Sequence, residues 1–236
     1  MVSLQTPGKK QEKHFCSGAI ISEQFVLVAA HCLTKPVEKN LRLLSIVAGT
    51  NQIYNNTYTQ RFQVKNFKRH KRFGQQCSDD IAILHVEPKF PKDKARFTTI
   101  NYKSNRRTLA GMGALLLDWE QDTIGVPTHI AATSFQMVEN NDCGYDNKFS
   151  NAKQFCALRT DGLRSICKYS DSGGILIDAD SKTLLGFISY CDKNTCEMEK
   201  PTAFTRISFY GNWIKDQMES MLNVQSKNNK KFPIGK

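Results

Sequence analysis

Eight cysteines, Cys16, Cys32, Cys77, Cys143, Cys156, Cys167, Cys191 and Cys196, constrain this 236-residue chain more than any other feature. They are even in number and dispersed, and no C-x-x-C pair points to structural zinc or a dithiol redox motif. The pattern reads as a disulfide framework formed in an oxidising compartment. Yet Met1-Val2-Ser3-Leu4-Gln5 leads straight to Lys9 and Lys10, without the apolar core of a secretory signal. A disulfide-dependent chain with no export signal implies that the sequence begins inside a longer, secreted precursor. The longest apolar runs, such as Phe25 to Ala30, fall well short of the roughly 18 residues of a membrane span.

The cysteines sit among short strand-like runs. Gly18-Ala19-Ile20-Ile21 and Phe25-Val26-Leu27-Val28-Ala29 flank a polar turn, Ser22-Glu23-Gln24. Similar runs are Leu41 to Val47, Ile81 to Val86, Gly174 to Ile177, Leu184 to Tyr190 and Ala203 to Ile207. Helical spacing is clear only at the C-terminus, where Trp213, Ile214, Met218, Met221 and Leu222 recur among polar residues. Beyond Leu222 the lysine-rich tail lacks apolar periodicity and is expected to fray. Many short strands and few helices indicate an all-β barrel or sandwich. The polar stretch near Lys103 to Arg107 is a candidate link between two halves.

Charge adds a partner hypothesis. Lys and Arg number 33 against 22 Asp and Glu, a net +11, and the segment from Arg61 to Arg72 carries six basic residues and no acid. A surface of this kind attracts anionic polymers such as glycosaminoglycans. The alternative is a solvated face without a partner. No recognition helix, zinc finger or RNA-binding signature accompanies the charge, so nucleic acid is not expected.

Three clusters carry chemistry: Ala29-Ala30-His31-Cys32, Asp79-Asp80-Ile81-Ala82-Ile83-Leu84 and Ser170-Asp171-Ser172-Gly173-Gly174. Each alone is weak, because a lone histidine is usually structural and an aspartate before a strand is usually a turn residue. Together they supply what serine nucleophilic catalysis needs. A hydroxyl needs a base as it attacks, imidazole has a suitable pKa, and a carboxylate fixes the imidazole tautomer.

In this order the clusters resemble those of the trypsin/chymotrypsin (S1) serine proteases, over nearly the whole chain. Cys16 to Cys32, ending in His31-Cys32, resembles the histidine loop; Asp80-Ile81-Ala82-Ile83-Leu84 resembles the aspartate segment; Asp171-Ser172-Gly173-Gly174 resembles the nucleophile motif. Ser189-Tyr190, Pro201 through Arg206 and the Trp213 helix also match. The resemblance implies two antiparallel six-stranded β-barrels with a C-terminal helix docked on the first. It divides the chain into barrels over 1–102 and 103–206, a helix over 207–222 and a basic tail over 223–236. It implies a monomeric endopeptidase acting on protein or peptide substrates, with no cofactor and no metal. His31 would be the general base, Asp80 its orienting carboxylate and Ser172 the nucleophile; the N–H groups of Ser170 and Ser172 would form the oxyanion hole. The implied disulfides are Cys16–Cys32, Cys143–Cys156 and Cys167–Cys196. Cys77 and Cys191 are not a usual family pair, and a fourth bridge between them would narrow the cleft; the alternatives are free thiols or a bond to another chain.

The chain departs from the family at sensitive places. Cys167-Lys168-Tyr169-Ser170-Asp171-Ser172 carries one extra residue, and Ser170 replaces a glycine of the oxyanion loop. Loss of one oxyanion donor lowers rates by about 10²–10³. Ser165 stands where trypsins carry an aspartate, so cleavage after Lys or Arg is not expected. Cys191 and Thr202 replace glycines of the pocket wall, implying a shallow or occluded pocket. Asp171 matches the partner of an activated amino terminus, which Met1, on a strand, does not supply. These departures leave a second reading, a weak or inactive homologue acting as a binding or regulatory module. Among lesser features, Asn55-Asn56-Thr57 is a glycosylation sequon. His14 and His85 read as structural histidines, and His70, in the basic stretch, as a solvent-exposed one.

Overall fold

Short runs of β-branched and aromatic residues, interrupted by polar turns, build short antiparallel strands. In the computed structural model the described residues are 1–8, 13–33, 37, 39–54, 59–74, 79–93, 97–103, 110–121, 127–144, 149–161, 173–189 and 201–231. The first six strands are β1 (Val2–Thr6), β2 (Lys13–Ile20), β3 (Phe25–Val28), β4 (Ser45–Ala48), β5 (Gln60–Arg69) and β6 (Ala82–Glu87). They close in the order β1-β2-β3-β6-β5-β4, every pair antiparallel. The next six are β7 (Gly113–Gln121), β8 (Pro127–Met137), β9 (Gln154–Arg159), β10 (Ile175–Asp178), β11 (Leu184–Ile188) and β12 (Thr202–Arg206). They close as β10-β11-β12-β9-β8-β7. The architecture is therefore all-β, two closed six-stranded antiparallel barrels and one C-terminal helix, as the sequence implied. Closure leaves no open edge among these strands.

The second barrel holds its own core of Leu116, Phe135, Phe155, Leu176 and Phe204. Phe155 stacks on Phe204 with ring centroids 5.5 Å apart. The core of the first barrel does not stop at its own wall. It is continuous with Ile175, Ile177 and Phe187 of the second barrel and with Ile207, Tyr210, Ile214 and Met221 at the C-terminus. A fully buried side chain of this size contributes about 1.5–3 kcal/mol. The shared core thus fixes how the barrels sit against each other, and with them the groups at their junction.

The helix α1 (Gly211–Lys231) follows a 3₁₀ turn over Ile207–Tyr210 and buries Ile214 and Met221, seven residues apart, on one face. It continues past Leu222, where the apolar pattern ends. Propagating a formed helix requires only one residue fixed per hydrogen bond, so a docked first half can carry a polar second half. Leu41 to Leu43 forms a 3₁₀ turn and not a strand, because the Asn40 side chain accepts the Arg42 N–H at 3.2 Å and caps a turn; β4 starts at Ser45.

Candidate active site

The strand β3 ends at Val28, and a single 3₁₀ turn over Ala30–Cys32 follows, closed by Leu33 N–H donating to Ala30 O at 3.0 Å. A disulfide between Cys16 and Cys32 ties this turn to β2. Close approach of β2 to β3 requires a glycine: a Cβ on Gly18 would lie 2.8 Å from Cγ1 of both Val26 and Val28. The turn turns His31 outward, its side chain 27% exposed, while Ala30 and Cys32 are buried.

Asp80 lies just before β6 and is buried, 4% exposed. Three donors converge on its carboxylate. The His31 backbone N–H donates to Oδ1 at 2.9 Å, His31 Nδ1 lies 2.8 Å from Oδ2, and the Ser189 hydroxyl donates to Oδ2 at 2.8 Å. Thr205 on β12 donates its hydroxyl to the Asp80 carbonyl at 3.1 Å. Ser189 and Thr205 belong to the second barrel and Asp80 to the first, so the carboxylate sits at their junction.

A carboxylate beside Nδ1 requires the proton on that nitrogen, leaving the Nε2 lone pair as the basic one. Burial alone would raise the Asp80 pKa. The charge and ring N–H of His31, the Ser189 hydroxyl and the His31 backbone N–H outweigh it and hold the group below the ordinary carboxylate range. The arrangement provides an ionised acceptor, an imidazole locked in one tautomer and a basic nitrogen on the edge of the ring away from Asp80.

Of the other residues singled out in the sequence, Cys143 and Cys156 form a disulfide. Thr202 begins β12, opposite Ala157 of β9. Ser165, Ser170, Asp171, Ser172, Cys77, Cys167, Cys191, Cys196 and the Asn55-Asn56-Thr57 sequon lie outside the described residues. Gly173, which directly follows Ser172, is described. A Cβ built on it would lie 3.1 Å from Cys32 Sγ and 3.1 Å from the Ser17 carbonyl. Ligand atoms of Cys16, His31 and Cys32 lie within 4.8 Å of one another, but both sulfurs are spent in the disulfide, so this trio offers no thiolate to a metal.

The expectation of a solvent-exposed His70 is corrected. Its side chain is only 11% exposed, 3.3 Å from Asp79, with the Tyr210 and Trp213 rings against it. The helix that follows β12 covers it, a contact that charge patterning along β5 does not reveal. His14 and His85 are buried; His14 Nδ1 lies 2.8 Å from Ser3 Oγ, and His85 stacks on Phe25 at 4.9 Å. Sequence reasoning assigned no role to Asp79, Ser189 or Thr205. The signal available for Asp79 was its duplication, since one acid suffices to orient an imidazole.

A family model described as Trypsin matches residues 1–214. The chain belongs to the trypsin family. Curated relatives of this trypsin-family protein include granzyme M of Rattus norvegicus, 25% identical over 91% of the chain and 82% of the relative. The fibrinolytic enzyme isozyme C of Lumbricus rubellus is 26% identical over 86% of the chain and 88% of the relative. Tissue-type plasminogen activator of Rattus norvegicus is 27% identical over 91% of the chain and 41% of its own length. These relatives are S1 serine proteases, and the likeness supports a serine protease function for the trypsin-family chain. Among the described residues, no helix is long and apolar enough to cross a membrane.

Proposed function

We propose that the protein is a secreted serine endopeptidase that forms an acyl-enzyme at Ser172. The observation that carries the reading is the Asp80 carboxylate with three donors, one of them the ring nitrogen of a partly exposed imidazole. A second contact supports it: Gly173, the neighbour of Ser172, packs against Cys32, the neighbour of His31. The two segments that would supply nucleophile and base thus meet at residues directly adjoining both.

In the proposed mechanism His31 Nε2 takes the Ser172 proton as Oγ attacks the scissile carbonyl. It then gives that proton to the leaving amine, and water repeats the sequence to release the acyl group. Asp80 holds the tautomer and stabilises the imidazolium. The N–H groups of Ser170 and Ser172 receive the developing oxyanion, while Asp171 receives an activated amino terminus. With Ser165 at the pocket base and Cys191 and Thr202 on its walls, the substrate side chain is small and apolar, not Lys or Arg. The same protein engages anionic glycan through the basic residues of β5 and the turn after it.

The test is active-site labelling. The protein, activated, should label with a fluorophosphonate and lose the label in Ser172→Ala. Labelling equal to that control would overturn the enzymatic reading in favour of a binding module. Efficient cleavage after Lys or Arg would overturn the specificity.

A further inference from the structure

Asp79 and Asp80 are consecutive, both buried, and aimed at different partners. Asp80 faces His31. Asp79, 2% exposed, faces the other way, where Lys153 Nζ lies 2.7 Å from Oδ2, the Tyr210 hydroxyl donates to Oδ1 at 3.2 Å and His70 Nδ1 lies 3.3 Å from Oδ1. These partners come from three separate places. His70 follows β5 of the first barrel, Lys153 precedes β9 of the second, and Tyr210 ends the 3₁₀ turn leading into α1.

The backbone between the two acids is bent. Asp79 has φ of 61°, in the left-handed region that non-glycine residues rarely occupy, and Ile81 N–H donates back to the Asp79 carbonyl at 2.9 Å. His70 N–H donates to the Ile81 carbonyl at 3.0 Å, pinning the far side of the same turn. A left-handed aspartate persists where surrounding contacts over-determine it. Here a lysine, a tyrosine and a histidine hold its side chain. A buried carboxylate without such partners would be strongly unfavourable.

We infer that Asp79 is a positioning residue, whose carboxylate, clasped by Lys153, Tyr210 and His70, fixes the bent turn that presents Asp80 to His31. Consecutive Cα atoms are about 3.8 Å apart, so movement of Asp79 is transmitted almost undiminished to Asp80. Misplacement by about 1 Å at a reacting geometry can lower rates about 100-fold. The inference deepens the proposed function and rests on it for any effect on hydrolysis, whereas the hold of Asp79 on the His31–Asp80 pair can be read without turnover.

The groups around the knot suit a permanent clasp. Burial foremost pushes the Tyr210 hydroxyl up, and Asp79 adds to it, so the phenol stays a donor. Burial pushes His70 down, against the pull of Asp79 and with help from Arg72, Lys153 and Lys71. Burial thus disfavours the charged form of His70, whose Nδ1 lies 3.3 Å from Asp79 Oδ1 and 3.4 Å from the Arg72 backbone nitrogen, and Lys153 is the cation that balances the carboxylate.

The test reads the His31 ring by NMR in the full chain carrying Ser172→Ala, so it does not depend on turnover. In the parent, the His31 Nδ1–H bound to Asp80 should give a low-field resonance. Asp79→Asn should broaden or abolish it and lower the His31 protonation constant about tenfold. Asp79→Glu keeps the charge but lengthens the arm, and should not restore the resonance. Full restoration by Glu would mean that charge alone acts and would overturn the inference. So would a folded Asp79→Asn whose resonance and protonation constant match the parent. Should Asp79→Asn not fold, Tyr210→Phe and Lys153→Met each remove one tie and should move the constant about threefold the same way; no movement in either sinks the proposal. Absence of fluorophosphonate labelling in the chain with Ser172 intact, alongside these NMR changes in the Ser172→Ala chain, would remove the enzymatic reading and leave the structural hold of Asp79 on the His31–Asp80 pair standing.

Discussion

Asp80 accepts from two N–H groups of His31 and from the Ser189 hydroxyl, and each donor favours its ionised form. A group whose folded pKa is depressed adds stability above its unfolded value, about 3.9 for an aspartate. That stability is lost as pH falls through the lower folded value. Ser189→Ala removes one donor to a charged acceptor, an interaction worth about 1.5–3 kcal/mol. The variant should therefore unfold at lower urea concentration than the parent at neutral pH. The gap should close as pH is lowered through the parent's depressed Asp80 value. A gap constant across that range would show that Ser189 does not act through the carboxylate.

Among the elements, β11 and β12 approach most closely at Gly186. A Cβ there would lie 2.6 Å from the Thr205 carbonyl oxygen and 3.0 Å from the Phe155 ring. The nearest atom is backbone, so relief requires moving β12, the strand whose Thr205 hydroxyl holds the Asp80 carbonyl. Overpacking of this kind costs about 1–3 kcal/mol. Gly186→Ala should lower the melting temperature by roughly 3–10 °C, and an unchanged melt would show that the strands adjust freely. The elements differ in how plainly the sequence displays them. Phe25 to Val28 and Leu184 to Ile188 are buried throughout and read as apolar runs. β8 does not: Thr128, His129, Thr133, Ser134 and Gln136 interrupt it, since among its described side chains only Phe135 and Met137 are buried. β5 was legible only as charge. The His31–Asp80 pairing could be anticipated because local motifs carry it, whereas Ser189, Thr205 and the Asp79 clasp depend on barrel packing that no local pattern encodes.

Across the molecule, the excess of positive charge is concentrated, not spread. Arg61, Lys65, Lys68, Arg69, Lys71 and Arg72 are all exposed, along β5 and the turn beyond it. On the neighbouring strand Glu87 pairs with Lys65. If this face takes anionic glycan, the protein should elute from immobilised heparin well above about 0.15 M salt, where free surface charges are already screened beyond about 8 Å. Reversing Lys68, Lys71 and Arg72 to glutamate should bring elution down to near the loading buffer. Elution of the parent at very low salt would argue against the partner.

Because Asp80 is gripped by side chains of both barrels, neither half can drift without disturbing the other's hold. Harm done by a substitution in one half should thus be reparable by changes in its counterpart. A genetic screen for second-site suppressors would be expected to find them across the barrel boundary, on the segments bearing Ser189 and Thr205, more often than beside the original lesion.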